Sequence, residues 1–498
     1  MRPRIPFFLF LTLYLVFAFA TFGDYGATWD EKDAYQGGQE LYNHIVHNAP
    51  LGYLDPEHGY PYTFLLSFFA GPDDYETLHL LNLLFAALLY WTLFEVLSAQ
   101  FKNAWWALAG PVGLFLNLPF LGSIPANPKD VPFAIFYFLS LAAIYLFGEK
   151  LPGFKARWAV LGVLFAFAIS SRIVGFTLFP ILFFYEGYLH WKELGKRKKA
   201  GWAGWLKGKG WEWFGLLATS QILCMALWPY LGVHYFQHLL NVFWLSAHFP
   251  PKFEFLFMGK MVNSLNYPWY YLPLWLALTI PLFLLILFLG SFFLFRTGGD
   301  KRLYVLLVAA LALNLLLYFF LHPAVYDGLR HFLFLLPILS ALAAMAFIEA
   351  FQKKTFTVPR ILAGLVLLAN MGMTASHLVT LHPYQYTYFN ELAGGIKGAY
   401  GKYETDYWVA SMKEAVEWLK AQELKDDNKV YRIFVQGNVP QARFYFSLNM
   451  QPASSPQDAD YSIVMTRAGI KPEPGDMGKV IHRVEREGAP LCYILKLR

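Results

Sequence analysis

The chain has 498 residues, of which 57% are hydrophobic, 19% aromatic and 15% charged, with a formal net charge of +6. Soluble domains average about 25% charged residues, so this balance excludes an ordinary soluble enzyme and marks a polytopic membrane protein. The basic residues gather in short loops between apolar runs, which excludes a nucleic-acid face. Two cysteines, Cys224 and Cys492, provide neither a disulfide framework nor zinc-finger spacing.

In chain order, an apolar run from Phe7 to Phe22 follows Met1-Arg2-Pro3-Arg4. Ala18-Phe19-Ala20 has the small-x-small form of a signal cleavage site, yet the apolar runs behind it favour a retained first helix over a cleaved signal in residues 1–22. Further spans are predicted over 77–99, 104–122, 131–148, 158–170, 173–190, 212–231, 269–295, 303–321, 332–351 and 359–380. Trp158 to His190 reads as a tight hairpin broken at Ser170-Ser171-Arg172.

With the N-terminus in the cytoplasm, the inner loops hold 19 Lys or Arg. The outer loops hold six, Lys32, Lys129, Arg172, Lys252, Lys260 and Arg330, which is the positive-inside bias. The basic stretches 149–157 and 191–211, the latter with Lys196-Arg197-Lys198-Lys199, both belong inside, so two crossings must separate them. The predicted fold class is a polytopic α-helical membrane protein of about 11 transmembrane helices. Its membrane domain covers residues 1–381. Residues 382–498 are mixed and polar, with a helix at Tyr407–Leu424 and strands at Val430–Val435, Tyr461–Met465 and Cys492–Leu497. They predict a small α/β domain on the outer face.

This topology collects the unusual polar residues on one side. The first outer loop, 23–76, has ten acids and a single Lys. It opens with Asp24, Asp30, Glu31 and Asp33 where a membrane helix meets water, a costly place for charge. Asp24 and Asp33 read as solvated. The second loop reads Asn127-Pro128-Lys129-Asp130-Val131-Pro132, Arg172 tops the hairpin, and a later loop runs from His322 through Asp327 and Arg330 to His331. Carboxylates and cations converging at a membrane surface suit transfer of a group from a lipid phosphate. A carboxylate serves as general base, and cations stabilise the charge growing on the leaving group. Arg offers phosphate a fork and Lys a point charge. Plainer readings stand beside this. Lys129-Asp130 reads as a local ion pair with Asp130 capping the fourth helix, Arg172 as a snorkelling cation, and His322, Asp327 and His331 as metal ligands.

Trp29-Asp30-Glu31 after an apolar helix, then Asn127-Pro128-Lys129-Asp130, then Tyr326-Asp327-Gly328-Leu329-Arg330-His331 resemble the GT-C membrane glycosyltransferases. The resemblance is to the protein O-mannosyltransferase and aminoarabinose-transferase-like group (glycosyltransferase family 39), and covers roughly residues 1–380. His382-Pro383-Tyr384-Gln385-Tyr386 to Phe389-Asn390 resembles bacterial members. It implies inverting transfer from a polyprenyl-phosphate sugar to a lipid, glycan or protein acceptor, in a bacterial inner membrane. It implies Asp30 as the catalytic acid, Glu31 as its acidic neighbour and Asp130 as the second acidic residue. Lys129, Arg172, Arg330 and His331 are then the donor-phosphate candidates. Some members place a divalent metal near these acids; Asp30, Glu31 and Asp130 are the residues it would take, and the sequence leaves its presence open. The C-terminal domain departs from the better-known members, which leaves the acceptor undefined. A polymerase or ligase of lipid-linked glycans is the alternative within enzymes. A polyisoprenoid-linked glycan transporter is the alternative outside them, but it needs charge near the bilayer midplane, and here charge sits at helix ends.

Overall fold

A computed structural model describes residues 4–52, 55–149, 157–194, 202–248, 253–294, 300–352, 357–426, 428–472 and 478–498. The basic run Lys196–Lys199, Met1 to Pro3 and Lys252 lie outside the described residues.

Helices stand over all the predicted apolar segments. Among the described residues five are long and apolar enough to cross a membrane, up to six if one bent pair is a single span, and four more apolar helices are shorter. The chain is therefore an integral membrane protein, while the predicted segments do not all have the length of a crossing. Two predicted spans are broken. The segment over 104–122 becomes Ala104–Phe115 and Leu118–Ala126, which meet at 65°. Pro119 stands in the first turn of the second piece, where its missing N–H costs nothing. The segment over 269–295 becomes Tyr271–Thr279 and Leu282–Leu294, because Ile280 precedes Pro281 and is held extended at ψ 132°.

The helix Leu335–Phe351 is apolar all round and buried along nearly its whole length, so it forms the centre of the bundle. Val358–Thr380 lies at the periphery and shows Leu362, Leu365 and Leu368 outward, as a lipid-facing helix does. The predicted hairpin break is present. The helix Arg157–Ser171 ends, Arg172 is extended at φ −154° and ψ 133°, and the chain resumes as a short 3-10 turn, Ile173–Thr177, and the helix Leu178–Leu194.

The strands are β1 (Glu254–Phe257), β2 (Lys260–Asn263), β3 (Tyr431–Gln436), β4 (Met450–Pro452), β5 (Tyr461–Met465), β6 (Lys479–Arg486) and β7 (Ala489–Lys496). β1 and β2 form an antiparallel hairpin. The others form one mixed sheet in the order β4-β3-β5-β7-β6. β3 runs parallel to β4 and β5, whereas β7 runs antiparallel to β5 and β6. The helix Met412–Gln422 buries Met412, Ala415, Val416 and Leu419 on one face. It starts later than the predicted Tyr407. The Asp406 carboxylate accepts the N–H groups of Ala410 and Ser411, and Val409 is left-handed at φ 58°, which holds this stretch as a turn.

Candidate active site

Four segments meet at one end of the bundle: the start of the first loop, Asn127–Asp130, Arg172, and the loop 322–331. Asp30 stands immediately before the helix Glu31–His47. Its Oδ2 forms a 2.6 Å ion pair with Arg330 Nη2. No hydrogen bond among the described residues reaches that oxygen. Burial raises the Asp30 carboxyl, and Arg330 and Lys129, with Arg172 behind them, outweigh burial and hold it below the ordinary carboxylate value. Asp30 is therefore an ionised carboxylate paired with Arg330.

Asp130 is differently employed. Its Oδ1 stands 2.5 Å from Arg172 Nη2 and accepts a 2.8 Å hydrogen bond from Arg172 Nε. Its Oδ2 accepts from Asn127 Nδ2 at 2.8 Å and lies 3.6 Å from Arg330 Nε. Both oxygens are engaged. The capping role expected of Asp130 belongs to Asn127, whose Oδ1 accepts the N–H groups of Lys129 and Asp130 at 3.0 and 2.8 Å. The reason is positional: Asp130 is already inside the helix, and its carboxylate is turned to two guanidiniums. Arg172 is accordingly no isolated snorkelling cation. The Lys129–Asp130 pair does not form; among the described residues Lys129 has no ion pair, and it lines a polar cavity of about 420 Å³ with Asp33, Glu40, Asp55 and Glu57.

Glu31 points elsewhere. It is fully buried. Oε2 accepts the Thr28 N–H at 2.6 Å, and Oε1 takes Tyr35 Oη at 3.0 Å and His79 Nε2 at 2.8 Å. Reaching back to Thr28 is what the carboxylate of a capping box does. Asp24 is half-exposed and paired with His382 Nε2 at 2.8 Å.

No group of three His, Cys, Asp or Glu is placed to hold a metal ion among the described residues. Asp30 and Asp130 each face an arginine where a shared cation would sit, and Glu31 is turned away, so these three do not fit a metal. His322 stacks on Tyr267 with ring centroids 4.2 Å apart, so His322, Asp327 and His331 do not form a ligand set either. Burial and the neighbouring Arg330 push the His331 imidazole down to about 3, so it is neutral.

A second cavity, of about 300 Å³, opens beside these charges. Its walls are apolar, from Phe133, Val174, Phe176, Leu317, Leu321 and Phe334, and Arg172 and His331 sit at its polar end. Glu57 lines both cavities. The structure thus brings Asp30, Asp130, Arg172, Arg330 and His331 together, and sets Lys129 on the polar side.

One member was missed. Arg467, between β5 and β6, reaches Asp327 with Nη2 2.9 Å from both carboxylate oxygens. Its guanidinium lies over Trp29 and Phe253, 5.1 and 4.9 Å from their ring centroids. Nothing near Arg467 in the chain signals this; only the tertiary contact does.

No protein-family model and no curated protein matches the chain. Among solved structures it is similar to ArnT from Cupriavidus metallidurans bound to undecaprenyl phosphate, at 12% identity over 98% of this chain and 97% of that one, with a TM-score of 0.48. The apo state of the same protein gives 10% identity, 97% of each chain and a TM-score of 0.47. The archaeal oligosaccharyltransferase AglB from Archaeoglobus fulgidus, in complex with an inhibitory peptide and a dolichol-phosphate, gives 12% identity, 88% of this chain, 66% of that one and a TM-score of 0.45. At these scores the likeness carries no weight in the reading below, which rests on the residues of the site.

Proposed function

We propose that this protein transfers a sugar from a polyprenyl-phosphate donor to an acceptor hydroxyl at the outer face of a membrane, with inversion. The carrying observation is the difference between the two paired acids. Asp130 spends both oxygens on Arg172 and Asn127 and its side chain is 4% exposed, whereas Asp30 is paired through one oxygen with a single guanidinium and its side chain is 18% exposed. A base has to be within reach of the acceptor hydroxyl, and the less enclosed of the two carboxylates is Asp30.

The donor lipid occupies the apolar cavity, with its phosphate at Arg172 and His331. The acceptor approaches from the polar cavity. Its hydroxyl oxygen bonds to the anomeric carbon as Asp30 takes the proton. The bond from that carbon to the phosphate oxygen breaks on the opposite face, and the electron pair leaves on the phosphate. Arg172, supported by Arg330 and by a neutral His331 donor, stabilises the departing charge. Lys129, on the acceptor side, helps to keep Asp30 ionised. Asp130 orients Arg172 and Arg330 and does not handle a proton. Glu31 anchors the loop that carries Asp30. The motif resemblance to GT-C enzymes supports this reading, and a bacterial inner membrane is the proposed location, with the site extracytoplasmic.

The test is transfer by purified protein from radiolabelled polyprenyl-phosphate sugars to membrane extract. Wild type should transfer from at least one donor, and Asp30→Asn should lose on the order of 10²–10⁴-fold, the contribution of a placed base. Equal transfer by both proteins would remove Asp30 from this role.

A further inference from the structure

Arg330 stands among three carboxylates and does not share itself equally. Asp30 Oδ2 is 2.6 Å from its Nη2, whereas Asp327 Oδ2 is 3.5 Å from Nη1 and Asp130 Oδ2 is 3.6 Å from Nε. Asp327 is 1% exposed, the most buried of the three. A carboxylate this close to Arg330 competes for it, even with burial raising the Asp327 carboxyl. It does not win it, because Arg467 holds both Asp327 oxygens at 2.9 Å.

We propose that Arg467 is a positioning residue of the transfer site: it occupies Asp327 and thereby leaves Arg330 to Asp30. The inference rests on the transfer reading above and adds a residue from the C-terminal polar region to it. The fold is built to aim this side chain. Ala468 is left-handed at φ 57°, a conformation an alanine adopts only when its surroundings impose it. Its N–H is held by the Glu404 carboxylate, which also accepts the Leu256 N–H of β1 at 2.7 Å. On the other side of Arg467, Thr466 Oγ1 bonds the Leu491 carbonyl of β7 at 3.0 Å. The guanidinium also covers Trp29, the neighbour of Asp30, so one side chain restrains both partners of the Asp30–Arg330 pair.

The experiment uses the full chain and four proteins: wild type, R467Q, R467K and the double variant D327N/R467Q. Each is measured for kcat, for KM of the radiolabelled donor, and for the pH dependence of transfer. In R467Q, Asp327 should draw Arg330 away, and kcat should fall by on the order of 10²-fold, as a misplacement of about an ångström does. KM for the donor should change little, since Arg467 does not line the apolar cavity. The charged and titratable groups facing Asp30 are Arg330, Lys129, Asp130 and Arg172, with Asp327, Glu57, Tyr326 and His331 around them. With the nearest cation withdrawn, the acid limb of the profile should move to higher pH. R467K keeps a cation beside Asp327 and should retain more rate than R467Q. In D327N/R467Q the competing charge is gone too, so transfer should recover relative to R467Q.

Such a rescue is not expected of a residue that only supports the fold. A kcat and pH profile unchanged in R467Q would overturn the inference. So would a double variant no faster than R467Q. Should R467Q fail to fold, the double variant, which buries no unpaired carboxylate, decides alone: substantial transfer supports the inference and none overturns it. A wild type that transfers nothing would overturn the function itself, and this inference with it.

Discussion

Asp30 and Arg330, from the loop after the first helix and the loop 322–331, stand 2.6 Å apart. The other two guanidinium nitrogens, Nη1 and Nε, lie 3.5 Å from Asp327 and 3.6 Å from Asp130. One planar fork thus addresses three carboxylates, which a single ammonium cannot do. Arg330→Lys should keep the fold and lose transfer by on the order of 10²-fold. Arg330→Ala should leave buried carboxylates unpaired, cost about 3–5 kcal/mol and lower the yield of folded protein. Transfer rates and thermal midpoints in detergent check both, and near-normal transfer by the lysine variant would contradict the role given to the fork.

The field around Asp30 fixes a pH dependence. Burial raises its carboxyl, and Arg330, Lys129 and Arg172 together outweigh burial, so the net shift is downward. A lowered carboxyl stays ionised as pH falls through the ordinary Asp range near 3.9. Its loss of rate should therefore begin below that range, and Asp30 should cause no fall in transfer between about pH 5 and 8. Lys129 acts on Asp30 through its charge and, among the described residues, has no ion pair of its own. Lys129→Gln should move the acid limb to higher pH with Asp30 still in place. A pH–rate profile for the two proteins tests this, and an unmoved limb would take Lys129 out of the field.

The spacing of apolar runs was enough to place the apolar helices but not Glu31–His47 or Tyr235–His248, which lie in stretches read as loops, and the break at Arg172 was readable because a serine pair and a cation interrupt an apolar stretch between two basic loops. Asp30, Asp130 and Arg330 were findable because a charge at the end of an apolar helix has few uses. Glu31, read as the acidic neighbour of Asp30, is turned inward; Thr28-x-x-Glu31 has a capping-box spacing, and its Glu31-to-Thr28 N–H half is what forms. Arg467 had no such signal. It sits in a polar region where arginine is ordinary, and its meaning comes only from the sheet that carries its loop back to the membrane domain. The hairpin of β1 and β2, which lends Leu256 to the Glu404 anchor, was likewise hidden in a stretch read as an outer loop.

Glu31 should separate stability from chemistry. Its oxygens accept from Thr28, Tyr35 and His79, and none faces Asp130 or Arg330. Glu31→Gln places an amide N–H₂ among donors and leaves at least one of them unsatisfied, at about 1–3 kcal/mol. The thermal midpoint should drop clearly, while transfer per folded molecule stays within a few-fold of wild type. A variant with a normal midpoint and a collapsed kcat would instead put Glu31 in the reaction.

Glu404 makes the sharpest statement about pH and stability. It is 2% exposed and accepts the N–H groups of Leu256 and Ala468, the second of which sets the turn that aims Arg467. Burial, followed by the charge of Asp327, pushes its carboxyl from an ordinary 4.5 up to about 7. The folded state therefore holds a proton that the unfolded chain has already lost. The stability this lends is complete below about 4.5 and disappears as pH rises through about 7. Wild type should lose thermal midpoint between pH 5 and 8 by this route. Glu404→Gln keeps an acceptor oxygen for the two N–H groups and has nothing to titrate, so its midpoint should be flatter across the same window and higher than wild type at the alkaline end. Midpoints recorded at one-unit intervals decide the matter. Equal slopes in the two proteins would mean that the proton lies elsewhere and that the Arg467 turn is held without it.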